Sequence, residues 1–150
     1  MSAVISDCGK YRYTLTRKWG DGPTVLWVML NPSTADAENN DPTIRRCIGF
    51  SQREGFGSLI VENLYAYRAT DPRALAKISA IEAYGPENFS RTVISVACAA
   101  LVICAWGTLG GSRVPNSLKS VSLFCLGRTK HGSPKHPLYV AKNTPLEIFR

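Results

Sequence analysis

Four short, near-continuous apolar runs constrain this chain most: Thr24 to Leu30, Ser58 to Leu64, Ala99 to Trp106 and Val121 to Leu126. They are β-rich and bounded by turn residues, so each reads as a strand buried on both faces. Such strands are stable only in a sheet covered on its two sides. The segments between them have helical character. Asp41 reads as an N-cap with Pro42 at the first helical position; Ile44, Cys47 and Ile48 share a face, and Gly55 is the stop, which makes about three turns. Ala74 to Ile81 reads as a short helix, Pro86 to Cys98 as a longer one, and Pro115 to Lys119 as another short one. Strands alternating with helices imply parallel βαβ units. The expected architecture is therefore α/β: three layers, α/β/α, around a mainly parallel sheet of four strands. Tyr11 to Arg17 alternates like a strand, and Gly20-Asp21-Gly22 is expected to turn it into a hairpin with Thr24 to Leu30, adding an N-terminal antiparallel strand.

A length of 150 residues with 45% hydrophobic content suits one domain, and no linker, repeat or low-complexity segment divides it. No stretch approaches the roughly 18 to 20 apolar residues of a membrane span, and Met1 to Arg17 is polar rather than signal-like. A cytoplasmic monomer without a membrane partner is expected. The five cysteines, Cys8, Cys47, Cys98, Cys104 and Cys125, are odd in number, lie among apolar residues and never form C-x-x-C, so they read as buried free thiols. No metal, iron–sulfur cluster or other cofactor is expected. The net charge of +7 adds a salt-sensitive attraction to polyanions, which points to nucleic acid.

In open parallel sheets the ligand crevice lies outside the carboxyl ends of the strands. Those ends carry Asn31-Pro32-Ser33-Thr34-Ala35-Asp36, then Asn63-Leu64-Tyr65-Ala66-Tyr67-Arg68, then Trp106-Gly107-Thr108, and finally Gly127-Arg128-Thr129-Lys130-His131-Gly132-Ser133-Pro134-Lys135-His136-Pro137. A carboxamide such as Asn31 or Asn63 offers a ligand edge both a donor and an acceptor, although either could equally cap a turn. Asp36 is the carboxylate nearest Asn31 in sequence and a candidate general base. Tyr65, Tyr67 and Arg68 combine stacking faces with a cation. Both histidines, His131 and His136, fall in the last loop, where the charges of Arg128, Lys130 and Lys135 favour neutral imidazole, a donor to a developing anion. Cys125 ends the strand before that loop, but its apolar flanks argue for an inert thiol.

Met29 to Asp36, Asp41 to Arg46, Asn63 to Pro72 and His136 to Tyr139 together resemble a bacterial and phage family of domains of unknown function, family 1643. The order of the segments is also similar to the uracil-DNA glycosylase superfamily. That second resemblance implies that Asn31-Pro32 positions the attacking water and that Asn63 contacts the flipped base. It aligns Ala105-Trp106-Gly107 with the Trp-Gly ending of a later strand. The superfamily's histidine loop, which polarises the base and then supplies a wedge residue, corresponds to either His131-Gly132-Ser133-Pro134 or His136-Pro137-Leu138. No Gly-Gln-Asp-Pro-Tyr-His segment is present, and Asn31 cannot accept a proton as a carboxylate does, which leaves Asp36 for that task.

The resulting expectation is a DNA glycosylase-like hydrolase acting on a flipped base. Asn31, His136 or His131, and Asp36 would be catalytic. Asn63, Pro32, Ser33 and Tyr65 would hold the base, and Tyr67, Arg68, Arg128, Lys130 and Lys135 would meet the phosphates of DNA rather than RNA. A non-catalytic module recognising a modified base, and an enzyme of free nucleosides or nucleotides, are the alternatives.

Overall fold

Backbone hydrogen bonding converts the four apolar runs into the centre of a larger sheet. The computed structural model describes residues 1–150. In chain order the elements are β1 (Ser2–Ile5), β2 (Arg12–Lys18), β3 (Thr24–Met29), α1 (Pro42–Arg53), β4 (Ser58–Asn63), α2 (Ala80–Tyr84), α3 (Asn88–Cys98), β5 (Leu101–Cys104), β6 (Leu123–Cys125) and β7 (Glu147–Ile148). All seven strands share one mixed sheet in the order β1-β2-β4-β3-β5-β6-β7. The pairs β4–β3, β3–β5 and β5–β6 are parallel, while β1–β2, β2–β4 and β6–β7 are antiparallel.

The near-continuous apolarity of β3 reflects two cores, one on each face of the sheet. Val25, Trp27 and Met29 join Leu59, Val61 and Ile103 against Ile44, Cys47 and Phe50 of α1. Leu26 and Val28 join Val102, Cys104, Leu123 and Phe149 in the second cluster, with Val96 of α3 packed against it. Each fully buried large side chain contributes roughly 2 kcal/mol. Helix α1 begins as its sequence implies: Asp41 Oδ1 accepts from Ile44 N at 2.9 Å, and Pro42 takes the first turn, where its missing N–H costs nothing. Gly55, at φ +85°, ends it. The one polar group on the inner face, Ser51 Oγ, accepts from Trp27 Nε1 at 2.9 Å and donates to Cys47 O at 2.6 Å.

Several expectations are corrected. Strand β2 does not form a hairpin with β3, because β3 spends both edges on β4 and β5, and β2 pairs with β4 instead. The Gly20-Asp21-Gly22 segment is a backbone crossing: Trp19 N and Gly20 N both donate to Gly57 O at 3.0 Å, and a Cβ on Gly57 would lie 2.2 Å from Gly22 N. Only glycine tolerates that approach. The single helix expected over Ala74 to Ile81 is two pieces, a 3-10 turn at Pro72–Lys77 and then α2. Ser79 breaks it by capping α2, its Oγ accepting from Glu82 N at 3.1 Å. Pro115 to Lys119 gives only a 3-10 turn at Asn116–Leu118. Strands β1 and β7 are too short and too exposed to leave an alternating signal. Cys47, Cys104 and Cys125 are buried, but Cys8 and Cys98 are exposed. No helix is long and apolar enough to cross a membrane.

Candidate functional site

The carboxyl ends of β3, β4 and β5 and the loop after β6 enclose a cavity of about 590 Å³. Met29, Leu30 and Asn31 line it from β3, Val61 and Asn63 from β4, and Trp106 to Leu109 from β5. Thr129, Lys135, His136, Leu138 and Tyr139 line it from the loop after β6, and Asp41 to Ile44 from the start of α1. Two anchors hold that last loop in place. Gly107 N donates to Pro134 O at 2.9 Å, and Arg46 of α1 donates from Nε to Pro137 O at 3.1 Å and from Nη2 to Val140 O. Trp106 is buried beneath the cavity with its Nε1 donating to Gly111 O at 2.7 Å, and Gly110 packs so closely on its ring that a Cβ there would lie 2.1 Å from it.

Three expected residues converge on this cavity in different states. Asn31 is pinned: Nδ2 donates to Ala69 O at 2.8 Å and to Pro32 O at 3.1 Å, which turns Oδ1 into its remaining functional atom, an acceptor. Asn63 is 3% exposed, and neither its Oδ1 nor its Nδ2 has a hydrogen-bond partner in the chain. A buried carboxamide with nothing to bond is costly, and this one lines the cavity. His136 accepts from Leu138 N at Nδ1, 3.2 Å away, so in its neutral form the proton sits on Nε2. Burial lowers its pKa, opposed by the charge of Asp41. The neutrality expected from neighbouring cations thus has a different cause, desolvation.

The other candidates divide. Ser33 and Lys135 line the cavity. Pro32 is buried and serves the loop, its carbonyl accepting from Ala69 N at 2.9 Å. Asp36 does not line the cavity; Oδ1 caps a local turn, accepting from Glu38 N and Asn39 N at 2.9 Å each, and Oδ2 accepts from Asn39 Nδ2 at 3.2 Å. Those backbone bonds to Glu38 and Asn39 hold its pKa below the usual carboxylate value. His131 and Lys130 are exposed and outside the lining. Tyr65 lies in a second, shallower groove with Tyr11 and Tyr84. Tyr67 stands edge-on to Tyr11 at 6.0 Å, and Arg68 is half-buried with its backbone N bonded to Lys10 O. Arg128 is committed to the C-terminal strand: Nη2 donates to Phe149 O and to Ile148 O, and its guanidinium stacks on the Phe149 ring at 5.0 Å.

Two charged lining residues escape the sequence reading. Asp41 stands out there only as a helix cap, and Arg12 is hidden in an alternating strand whose pattern does not distinguish a buried arginine from an exposed one. Asp41 is the one carboxylate in the cavity lining.

The family model described as "Protein of unknown function (DUF1643)" matches residues 12–138. No curated protein and no solved structure matches the chain.

Proposed function

We propose that this chain, which belongs to the DUF1643 family, is a DNA glycosylase-like hydrolase that cleaves the N-glycosidic bond of a flipped uracil-like, mismatched or modified base. The observation that carries this reading is Asn63: a buried carboxamide at the strand-end cavity with donor and acceptor both unspent. A uracil-like edge presents the complementary pair, a carbonyl beside an N–H, and a site built around unpaired polar groups discriminates strongly against ligands that leave them unpaired. The parallel order β4-β3-β5-β6, with α1 against one face and α3 against the other, supports a three-layer, uracil-DNA glycosylase-like arrangement.

In this reading Asn31 Oδ1 accepts from the attacking water, oriented because both amide hydrogens are already held. Asp41, through the oxygen that does not cap α1, takes the proton as the water oxygen bonds to the sugar carbon. It replaces Asp36, whose oxygens are occupied elsewhere. The glycosidic C–N bond breaks with its electron pair leaving on the base, and His136 Nε2–H stabilises the resulting anion. Leu138 and Tyr139, 41% and 83% exposed at the rim, suit the gap left by the flipped nucleotide. Lys135 at the rim and Lys130, Arg68 and Tyr67 farther out serve the flanking backbone.

The test is excision from labelled single- and double-stranded oligonucleotides carrying uracil, mismatched thymine, hypoxanthine, hydroxymethyluracil or oxidised bases, followed by alkaline cleavage of abasic sites. Strand breaks that disappear with Asn31→Ala are expected. Salt-sensitive binding without any breaks would instead make the protein a recognition module.

A further inference from the structure

Arg12 is a buried cation at the cavity wall with no carboxylate within ion-pair distance. Its side chain is 3% exposed and lines the cavity, yet only Nη1 has a partner, Ala35 O at 2.7 Å, and Nε has none. None of the ion pairs of the chain includes it; these join Lys18 to Asp21, Arg53 to Glu54, Arg73 to Asp71 and Arg91 to Glu87. Arg17 on the same strand is equally buried but fully engaged, donating to Asn40 Oδ1 and to the carbonyls of Thr16, Asp36 and Asn39. Removing a guanidinium from water without a counter-charge costs several kcal/mol, so such groups are retained where something anionic arrives to meet them.

The surroundings sharpen the deficit. Asp41 and Glu62 are the carboxylates that act on Arg12, and Arg17 and Arg68 act against them. Neither carboxylate lies within ion-pair distance of Arg12; Glu62 Oε1 is taken by the hydroxyls of Thr14 and Ser95, and its Oε2 has no partner. Desolvation depresses the Arg12 guanidinium to about 10, the direction produced by burial without sufficient compensation. The same wall carries the first turn of α1, a helix of 12 residues, where Thr43 N–H has no carbonyl four residues back to bond.

We infer that Arg12 and the start of α1 form an anion subsite inside the cavity, and that it takes the phosphate group of the nucleotide whose base reaches Asn63. The assignment rests on reading this cavity as a nucleotide site. The phosphate can belong to a free mononucleotide or to a nucleotide within a strand, and Arg12 makes the same charge-assisted contacts to either.

The experiment measures binding of inorganic phosphate, deoxyuridine, deoxyuridine 5′-monophosphate and an oligonucleotide with one deoxyuridine, by calorimetry, to the wild type, Arg12→Met and Arg12→Lys. The monophosphate is expected to bind the wild type at least about tenfold more tightly than the nucleoside, as charge-assisted contacts imply, with inorganic phosphate competing. Arg12→Met should erase that ratio and Arg12→Lys should restore part of it. The wild-type ratio stands by itself if Arg12→Met does not fold. Equal binding of nucleoside and monophosphate, or a ratio that survives in Arg12→Met, overturns the anion subsite while leaving base recognition intact. Arg12-dependent binding of phosphate with no gain from the attached base keeps the subsite and removes the base reading. Whether the free monophosphate or the oligonucleotide binds more tightly assigns the source.

Discussion

Glu62 and Asn63 are neighbours on β4, both buried, and they end in opposite surroundings because successive strand residues face opposite sides of a sheet. Glu62 points toward α3, where Oε1 accepts from Ser95 Oγ at 2.5 Å and from Thr14 Oγ1 at 2.7 Å. Asn63 points into the strand-end cavity, where nothing in the chain bonds to it. One side of the sheet supplies two hydroxyls to Oε1 of its buried carboxyl and leaves Oε2 alone unpartnered. The other side has left a polar group bare. Under the proposed function the difference separates a carboxyl half held by the fold from a carboxamide kept for a ligand, and it can be attacked from either side.

The largest effect should come from Asn63→Ala. If the amide reads a base, its loss lowers kcat/KM for excision by about 10³-fold, roughly 4 kcal/mol of transition-state stabilisation. The thermal midpoint should hold or rise, because two unsatisfied atoms leave the interior. A midpoint that falls together with activity would mean that Asn63 supports the fold, and the contrast with Glu62 would collapse.

Glu62→Gln should give the next largest effect, in stability. Desolvation pushes the Glu62 carboxyl up to about 7 from an ordinary 4.5, against the pull of the Ser95 and Thr14 hydroxyls. The folded chain therefore keeps a proton that the unfolded chain has released. Stability from this group is complete below about pH 4.5, declines as pH rises, and the loss is complete above about pH 7. At 1.36 kcal/mol per unit the whole change is about 3 kcal/mol. Denaturant titrations from pH 4 to 8 should show the wild type losing stability relative to Glu62→Gln across that window, with excision near neutral pH unchanged. Parallel pH profiles for the two proteins would refute the burial account.

What the sequence made legible was local. Apolar runs of strand length marked β3 to β6, an Asp-Pro pair marked the start of α1, and the strand ends located the cavity that Asn31, Asn63 and His136 line. What it hid depends on distant chain. The crossing of Gly57 over Gly22 decides that β2 pairs with β4, and no pattern within either segment records it. Proximity in sequence favoured Asp36 as a base, whereas the fold brings Asp41 to the cavity. Two histidines five positions apart were equivalent as text, and only the anchoring of the loop after β6 by Gly107 and Arg46 separates half-buried His136 from exposed His131. Arg12 was invisible for the same reason, since alternation cannot say which end of a strand is roofed.

Asp41 carries the contrast between Glu62 and Asn63 within one side chain, and it gives the smallest stability effect. Its Oδ1 is spent on Ile44 N, while Oδ2 has no partner in the chain and the residue lines the cavity. Asparagine caps a helix about as well as aspartate, and alanine does not, so Asp41→Ala should lower stability by about 1 kcal/mol and Asp41→Asn by much less. If Asp41 is the base of the proposed reaction, excision should fall alike in both, by about 10²-fold, because both lose the carboxylate that would receive the water proton. Thermal melts and excision rates on the two variants therefore separate the two oxygens. Wild-type excision in Asp41→Asn would reduce Asp41 to a cap, and Asn31 would then orient the water without a carboxylate to take its proton.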